Sequence, residues 1–209
     1  SAMGRYNRGL CRLLKGQFAE GWTDYAARLE WWATAAAAAR KGIRWKAEDF
    51  GKPLWDGRAA PARLLVWEEQ GIGDQILFAS MLREADARVD KLILAIDARL
   101  HPLFRRSFPE FEITSCASAI AQNTHDVQMP LGHLGALLRP RSENFLQNRR
   151  PYLTADRGRA AALRNAIAPG QKRVCGISWL SRNDDIGTQK SMSLAQLRSL
   201  LEMPGYAFV

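Results

Sequence analysis

The chain has 209 residues (23.4 kDa), 47% of them hydrophobic and 24% charged, a composition that buries a core and excludes a disordered chain. Lys plus Arg is 30 against 21 Asp plus Glu, a net charge of +9 carried mostly by 23 arginines, which favours anionic partners. No apolar run reaches the ~18 residues that cross a bilayer, and no apolar leader is visible, so neither a membrane span nor a signal peptide is expected.

At about 100–200 residues per domain the length allows one large domain or one and a half ordinary ones. Ser1-Ala2 ahead of Met3 reads as a remnant of expression. Basic residues form no five-residue run, the densest spots being Arg105-Arg106 and Arg149-Arg150; a nucleic-acid tail is not expected, whereas a folded basic cleft is compatible. Cys11, Cys116 and Cys175 make no CxxC pair and no His/Cys cluster at ligand spacing. They read as buried free thiols of a reduced, cytoplasmic chain, with no metal.

Residues 4–32 carry a helical pattern, with Leu10, Leu13 and Leu14, then Phe18, Trp22, Tyr25 and Leu29 recurring at three and four. Gly16 interrupts it where a tight or left-handed turn is needed. Two antiparallel helices follow, about 4–15 and 18–32. A single such hairpin cannot bury its own apolar face, so it must pack on something else. Residues 33–57 form a connector that opens on an alanine run and closes on glycines and prolines. Its Trp45, Phe50, Leu54 and Trp55 are too apolar for a solvated linker, so it is expected to strap onto the next domain.

From Arg63 onward short apolar runs alternate with helical patterns. Leu64–Trp67 and Leu92–Ile96 are strands, 111–113 and 127–129 weaker ones; helices are expected after the first strand, over 100–108 and over 131–138. This alternation is that of a doubly wound, Rossmann-like α/β sheet spanning 58–172. After Tyr152-Leu153 comes an arginine-rich helix near 155–168, a strand over 174–179, a polar loop, a helix near 194–202 and a strand from Tyr206. Residues 173–209 therefore read as the start of a second α/β domain, opened and not completed.

The sharpest local feature is Glu68-Glu69-Gln70-Gly71-Ile72-Gly73-Asp74, between the first strand and its helix. Ligands of open α/β sheets bind at the carboxyl ends of strands, and two glycines admit close backbone approach. Ile76 stands where a dinucleotide fingerprint needs its third glycine, and no Gly-Lys-Ser/Thr follows as in a P-loop. By itself the loop reads equally as a tight turn with Asp74 as helix cap. His101 reads as a helix-start residue at the surface, and His125 and His133 as structural residues near the cleft; none has triad spacing.

Val66-Trp67-Glu68-Glu69-Gln70-Gly71-Ile72-Gly73-Asp74-Gln75-Ile76 resembles the opening strand and loop of bacterial tetratricopeptide-repeat glycosyltransferase-like proteins. These are relatives of the lipopolysaccharide heptosyltransferases and, more distantly, of the O-linked N-acetylglucosamine transferases. The resemblance runs on through Gly21-Trp22 and Tyr25, Pro53-Leu54-Trp55-Asp56-Gly57, Asp126 to Leu131, Pro151-Tyr152-Leu153 and Gly176-Ile177-Ser178-Trp179. It implies a GT-B architecture, two Rossmann-like domains facing across a cleft, behind a tetratricopeptide-like hairpin. The activity it implies is metal-independent, inverting transfer of a sugar from a nucleotide-activated donor to a glycan or protein acceptor.

By the same resemblance Asp74 is the general base that takes the acceptor's proton. Gln70, Gly71 and Gly73 line the substrate site, and Trp179, Ser181, Arg182, Lys190 and Ser191 hold the donor, whose pyrophosphate needs cationic or N–H stabilisation as it leaves. Trp179-Leu180-Ser181-Arg182-Asn183 departs from the small-residue turn usual after that Trp, while Lys190-Ser191 keeps the basic-Ser pattern. The other reading of 180–192 is a surface loop with Ser193 as helix cap. The other reading of the whole chain is a non-catalytic scaffold that docks a protein partner on the hairpin. The chain by itself is expected to be an incomplete, inactive catalytic unit.

Overall fold

The computed structural model describes residues 1–34, 44–146, 151–168, 173–181 and 187–209. The expected alanine run of the connector (35–39) and Arg182 lie outside them. The chain divides into two compact units, Ser1–Thr154 and Ala155–Val209. The arginine-rich helix thus belongs with the segment after it; the sequence reading puts that boundary at 172/173.

The first unit is built on four parallel strands, β1 (Arg63–Trp67), β2 (Lys91–Ala95), β3 (Glu112–Thr114) and β4 (Val127–Pro130), in the order β3-β2-β1-β4. This is the order of half a doubly wound sheet, with the winding reversed between β1 and β4. Alternate residues of a strand face opposite sides, and here both sides are buried, which is why these strands read as unbroken apolar runs. Leu64, Val66, Leu92 and Leu94 pack with Phe78, Leu82, Phe104, Phe108 and Leu134. Leu65, Trp67, Ile93 and Ala95 pack with Phe50, Cys116 and Ala119.

The hairpin begins with α1 (Ala2–Leu14), whose N-cap is Ser1, its hydroxyl accepting from the Gly4 N–H. Gly16 turns the chain with φ +75°, as expected. The second expected helix is broken into α2 (Phe18–Tyr25) and α3 (Ala27–Trp32), because Leu29 N–H bonds back three residues to Ala26 rather than four. The hairpin packs on the sheet domain. The Trp22 indole lies where a side chain at Gly135 would be, and its Nε1 donates to the Arg139 carbonyl at 2.8 Å.

The later, described part of the connector packs on the domain. Phe50 stacks on Trp67 at 4.7 Å, and Leu54 bridges Gln128 beyond the edge of β4. Gln128 then accepts from the Trp67 indole and donates to the Ala47 and Lys52 carbonyls.

Helices α4 (Ile72–Ala79), α5 (Leu82–Asp86), α6 (His101–Ser107) and α8 (Leu134–Leu138) follow the expected pattern, and α7 (Cys116–Gln122) was not foreseen. Its cap is Ser115, but seven mostly small residues give no readable apolar stripe. His101 starts α6 as expected, yet its Nε2 lies 3.1 Å from the carbonyls of both Ile96 and Thr114, so it ties strand ends together. The cysteines form no disulfide; Cys116 is buried, whereas Cys11 is exposed, against expectation.

The second unit holds α9 (Arg157–Ile167), β5 (Arg173–Cys175), α10 (Arg198–Leu201) and β6 (Tyr206–Phe208), with β5 and β6 parallel. β5 stops at Cys175, short of the expected 179, because its one ladder partner among the described residues is the short β6.

Candidate functional site

Glu68 N–H still bonds Ala95 as if the strand continued, and the chain then bends over the carboxyl end of β1 into α4. Glu69 turns inward, towards the reversal point beside β4. There it accepts two hydrogen bonds from Arg28 of α3, at 2.9 and 2.5 Å, and one from Gly132 N–H at 2.8 Å. Arg28 is 1% exposed and also reaches the Tyr25 carbonyl and His133 Nδ1. Desolvation, and then the neighbouring guanidinium, push the His133 imidazole down to about 4, so it is the neutral acceptor of that contact. The crevice where open α/β sheets usually take their ligand is therefore filled by a side chain of the hairpin.

One opening, of about 380 Å³, lies between the hairpin and the connector, lined by Leu29, Trp32, Trp45, Leu54 and Glu69 among others; a more polar one lies to the other side, over β1 and β2. A cavity of about 170 Å³ is lined by Arg44, Trp45, Glu68, Glu69, Gln70, Gly71, Ile72, Gln75, Asp97 and Arg99. Gln75, 2% exposed, organises it. Its amide donates to Glu68 Oε2 (2.7 Å) and the Gln70 carbonyl (3.0 Å) and accepts from Asp97 N–H (3.1 Å). Burial raises the Glu68 carboxyl above its ordinary range, against the hydrogen bonds from Gln75 and the Trp45 indole. Asp97 is held down at about 2 by its hydrogen bonds from Arg99.

The residues foreseen from sequence are partly gathered here. Gln70 and Gly71 line the cavity; Gly73 and Asp74 do not. Gly71 is the N-cap of α4, so Asp74 sits in the first turn rather than at the cap, and its carboxyl reaches back to the Gly71 N–H. Burial raises the Asp74 carboxyl, the Gly71 contact opposing. A side chain at Gly71 would meet only Asp74 Oδ2, at 3.6 Å, and one at Gly73 would meet nothing within 4 Å. Neither glycine has a positive φ, so neither local strain nor packing requires them.

In the second unit Ser181 N–H donates to Ser191 Oγ (2.9 Å), Met192 N–H to the Trp179 carbonyl (2.9 Å), and Ser191 Oγ to the Gly187 carbonyl (2.7 Å). Trp179, Ser181 and Ser191 are thus drawn into one loop cluster, with Lys190 exposed beside it. Ser193 caps the following turn.

Sequence reasoning gave no site role to Arg28, Trp45, Glu68, Gln75 or Asp97; His133, read as structural near the cleft, is found there against Arg28. Asp97 follows β2 as Glu68 follows β1, so the strand-end rule would have found it. Arg28 lies 41 residues from Glu69, and no local pattern announces it.

No protein-family model matches the chain, and no solved structure matches it. The chain is similar to one curated protein. Protein FlbA of Caulobacter vibrioides (strain ATCC 19089 / CIP 103742 / CB 15) is 31% identical over an alignment of 233 residues. That alignment takes in all of this chain and 36% of FlbA, so the chain spans about a third of its relative's length.

Proposed function

We propose that this chain is the acceptor-side half, with the beginning of the donor side, of a GT-B glycosyltransferase-like protein carrying a tetratricopeptide-like hairpin. It would transfer a sugar from a nucleotide-activated donor to an acceptor hydroxyl in the cytoplasm, with no resident cofactor or metal. The observation that carries this reading is the Glu68–Asp74 loop at the carboxyl end of β1, beside a polar cavity and next to the reversal of the sheet. Gly71 and Gly73 add weight, because open backbone that the fold does not require is what close approach of a substrate needs.

Asp74 is the proposed base, its raised carboxyl suited to receive a proton as the glycosidic bond forms. Gln70, Gly71 and Gly73 would line the substrate path. Trp179, Ser181, Lys190 and Ser191, with Arg182, would meet the donor. The +9 charge suits a nucleoside diphosphate leaving group and does not by itself argue for nucleic acid.

The test is release of nucleoside diphosphate from a panel of nucleotide-sugars by the full-length natural protein. Asp74→Asn should abolish release while circular dichroism stays unchanged; a fully active variant removes Asp74 from the mechanism. A non-catalytic scaffold, docking a protein partner through the hairpin, is favoured by one observation: the Asp74 carboxyl is turned to the Gly71 N–H, as a helix cap is. In that case no donor is turned over by the unaltered protein.

A further inference from the structure

The cavity over β1 and β2 has a side-chain set that discriminates among ligands. Two carboxylates, Glu68 and Asp97, stand at the ends of adjacent strands, Asp97 paired with Arg99, while Glu69 of the same lining is turned to Arg28. Among the described residues no group of three or more His, Cys, Asp or Glu is placed to hold a metal ion. Arg44 supplies donors, Gln75 a fixed amide and Trp45 an indole, while Arg99 gives its Nε and Nη2 to Asp97. Carboxylates, guanidiniums, an amide and an aromatic ring together complement a ligand with several adjacent hydroxyls and an apolar C–H face.

Glu68 keeps capacity for such a ligand. An ionised carboxylate offers about four lone-pair sites, and its contacts here are with Gln75 and Trp45. The space is also too large for one hydroxymethyl group. An opening of about 170 Å³ admits several waters or one ring-sized polar molecule. The site is also pre-formed, since the buried Gln75 fixes Glu68, the Gln70 carbonyl and the Asp97 amide in one arrangement.

We infer that this cavity seats a sugar ring through Glu68, Asp97 and Trp45, so that the acceptor is a saccharide rather than a polypeptide hydroxyl; the word acceptor rests on the transferase reading above. The 209-residue chain is tested by saturation-transfer NMR with free hexoses, N-acetylhexosamines and heptoses, and separately with short serine- and threonine-containing peptides. At least one monosaccharide should bind at millimolar concentration. Glu68→Gln and Trp45→Ala should each weaken it about tenfold, the worth of one hydrogen bond to a charged group. Arg58→Ala, outside the cavity, should leave it unchanged, and near-ultraviolet circular dichroism checks that each variant is folded. Absence of any monosaccharide binding, binding indifferent to both substitutions, or binding of the peptides with the same dependence on Glu68 overturns the inference. If sugars bind here but the full-length natural protein turns over no nucleotide-sugar, the transferase reading fails and the saccharide site stands. If the full-length protein glycosylates peptides and no monosaccharide binds, the reverse holds.

Discussion

Replacing Arg28 with Met tests whether the hairpin is an integral part of the site. In the native chain Arg28 and Glu69 are paired by two hydrogen bonds with both side chains almost wholly buried. Removing the cation leaves a buried carboxylate with the Gly132 N–H and no charge partner, which costs about 3–5 kcal/mol. That is a large share of the about 5–15 kcal/mol that holds a domain together. Removing both charges, as Arg28→Met/Glu69→Leu, leaves no unpaired ion: the Gly132 N–H loses its acceptor, a cost of about 1–3 kcal/mol, and the Tyr25 carbonyl and His133 Nδ1 lose Arg28 as they do in Arg28→Met alone. The double variant should therefore be more stable than either single one, with a coupling energy above about 2 kcal/mol. Urea unfolding followed by tryptophan fluorescence suits the measurement, because six of the seven tryptophans lie in the first unit. A loss below about 1 kcal/mol for Arg28→Met, or strictly additive effects, would refute the reasoning.

Other outcomes follow from neighbouring contacts. His133 should titrate at about 4 by NMR, and move upward in Arg28→Met as the adjacent cation is lost. Because that value lies below the ordinary one of about 6.5, the folded state binds fewer protons between the two. The stability linked to His133 is complete above pH ~6.5 and falls by up to about 3 kcal/mol as the pH drops toward 4. Glu68 and Asp74, raised by burial, slope the other way, so the His133 share is isolated by its loss in His133→Asn. Gly135→Ala should cost about 1–3 kcal/mol in the same urea titration, since the new methyl would lie 2.5 Å from the Trp22 ring. With a thiol reagent, Cys11 should react at once, whereas Cys116, buried and with its thiol pushed up, should wait for unfolding.

Much of the fold was legible because its signals are local. The runs at Leu64–Trp67 and Leu92–Ala95 announce strands buried on both faces, and Gly16 marks the hairpin turn at which it is found. The break at Ala26 and helix α7 escaped because a single three-residue hydrogen bond and a short run of small residues leave no periodic trace.

The candidate site was half legible. The loop Glu68–Asp74 could be placed at a strand end from pattern alone, but which of its carboxylates faces the cavity could not. Sequence by itself fixed the parallel α/β character, the strapped connector and the need for the hairpin to find a partner, since periodicity and apolar content act over a few residues. Tertiary structure alone decided that Arg28 fills the crevice at the sheet's reversal and that Glu68, Gln75 and Asp97 surround the open space beside it. Those pairings join Arg28 to Glu69 across 41 positions and to His133 across 105, and only the closed chain sets their geometry. The +9 charge is an example: composition counts Arg28 towards an anionic ligand, whereas the fold spends it on Glu69.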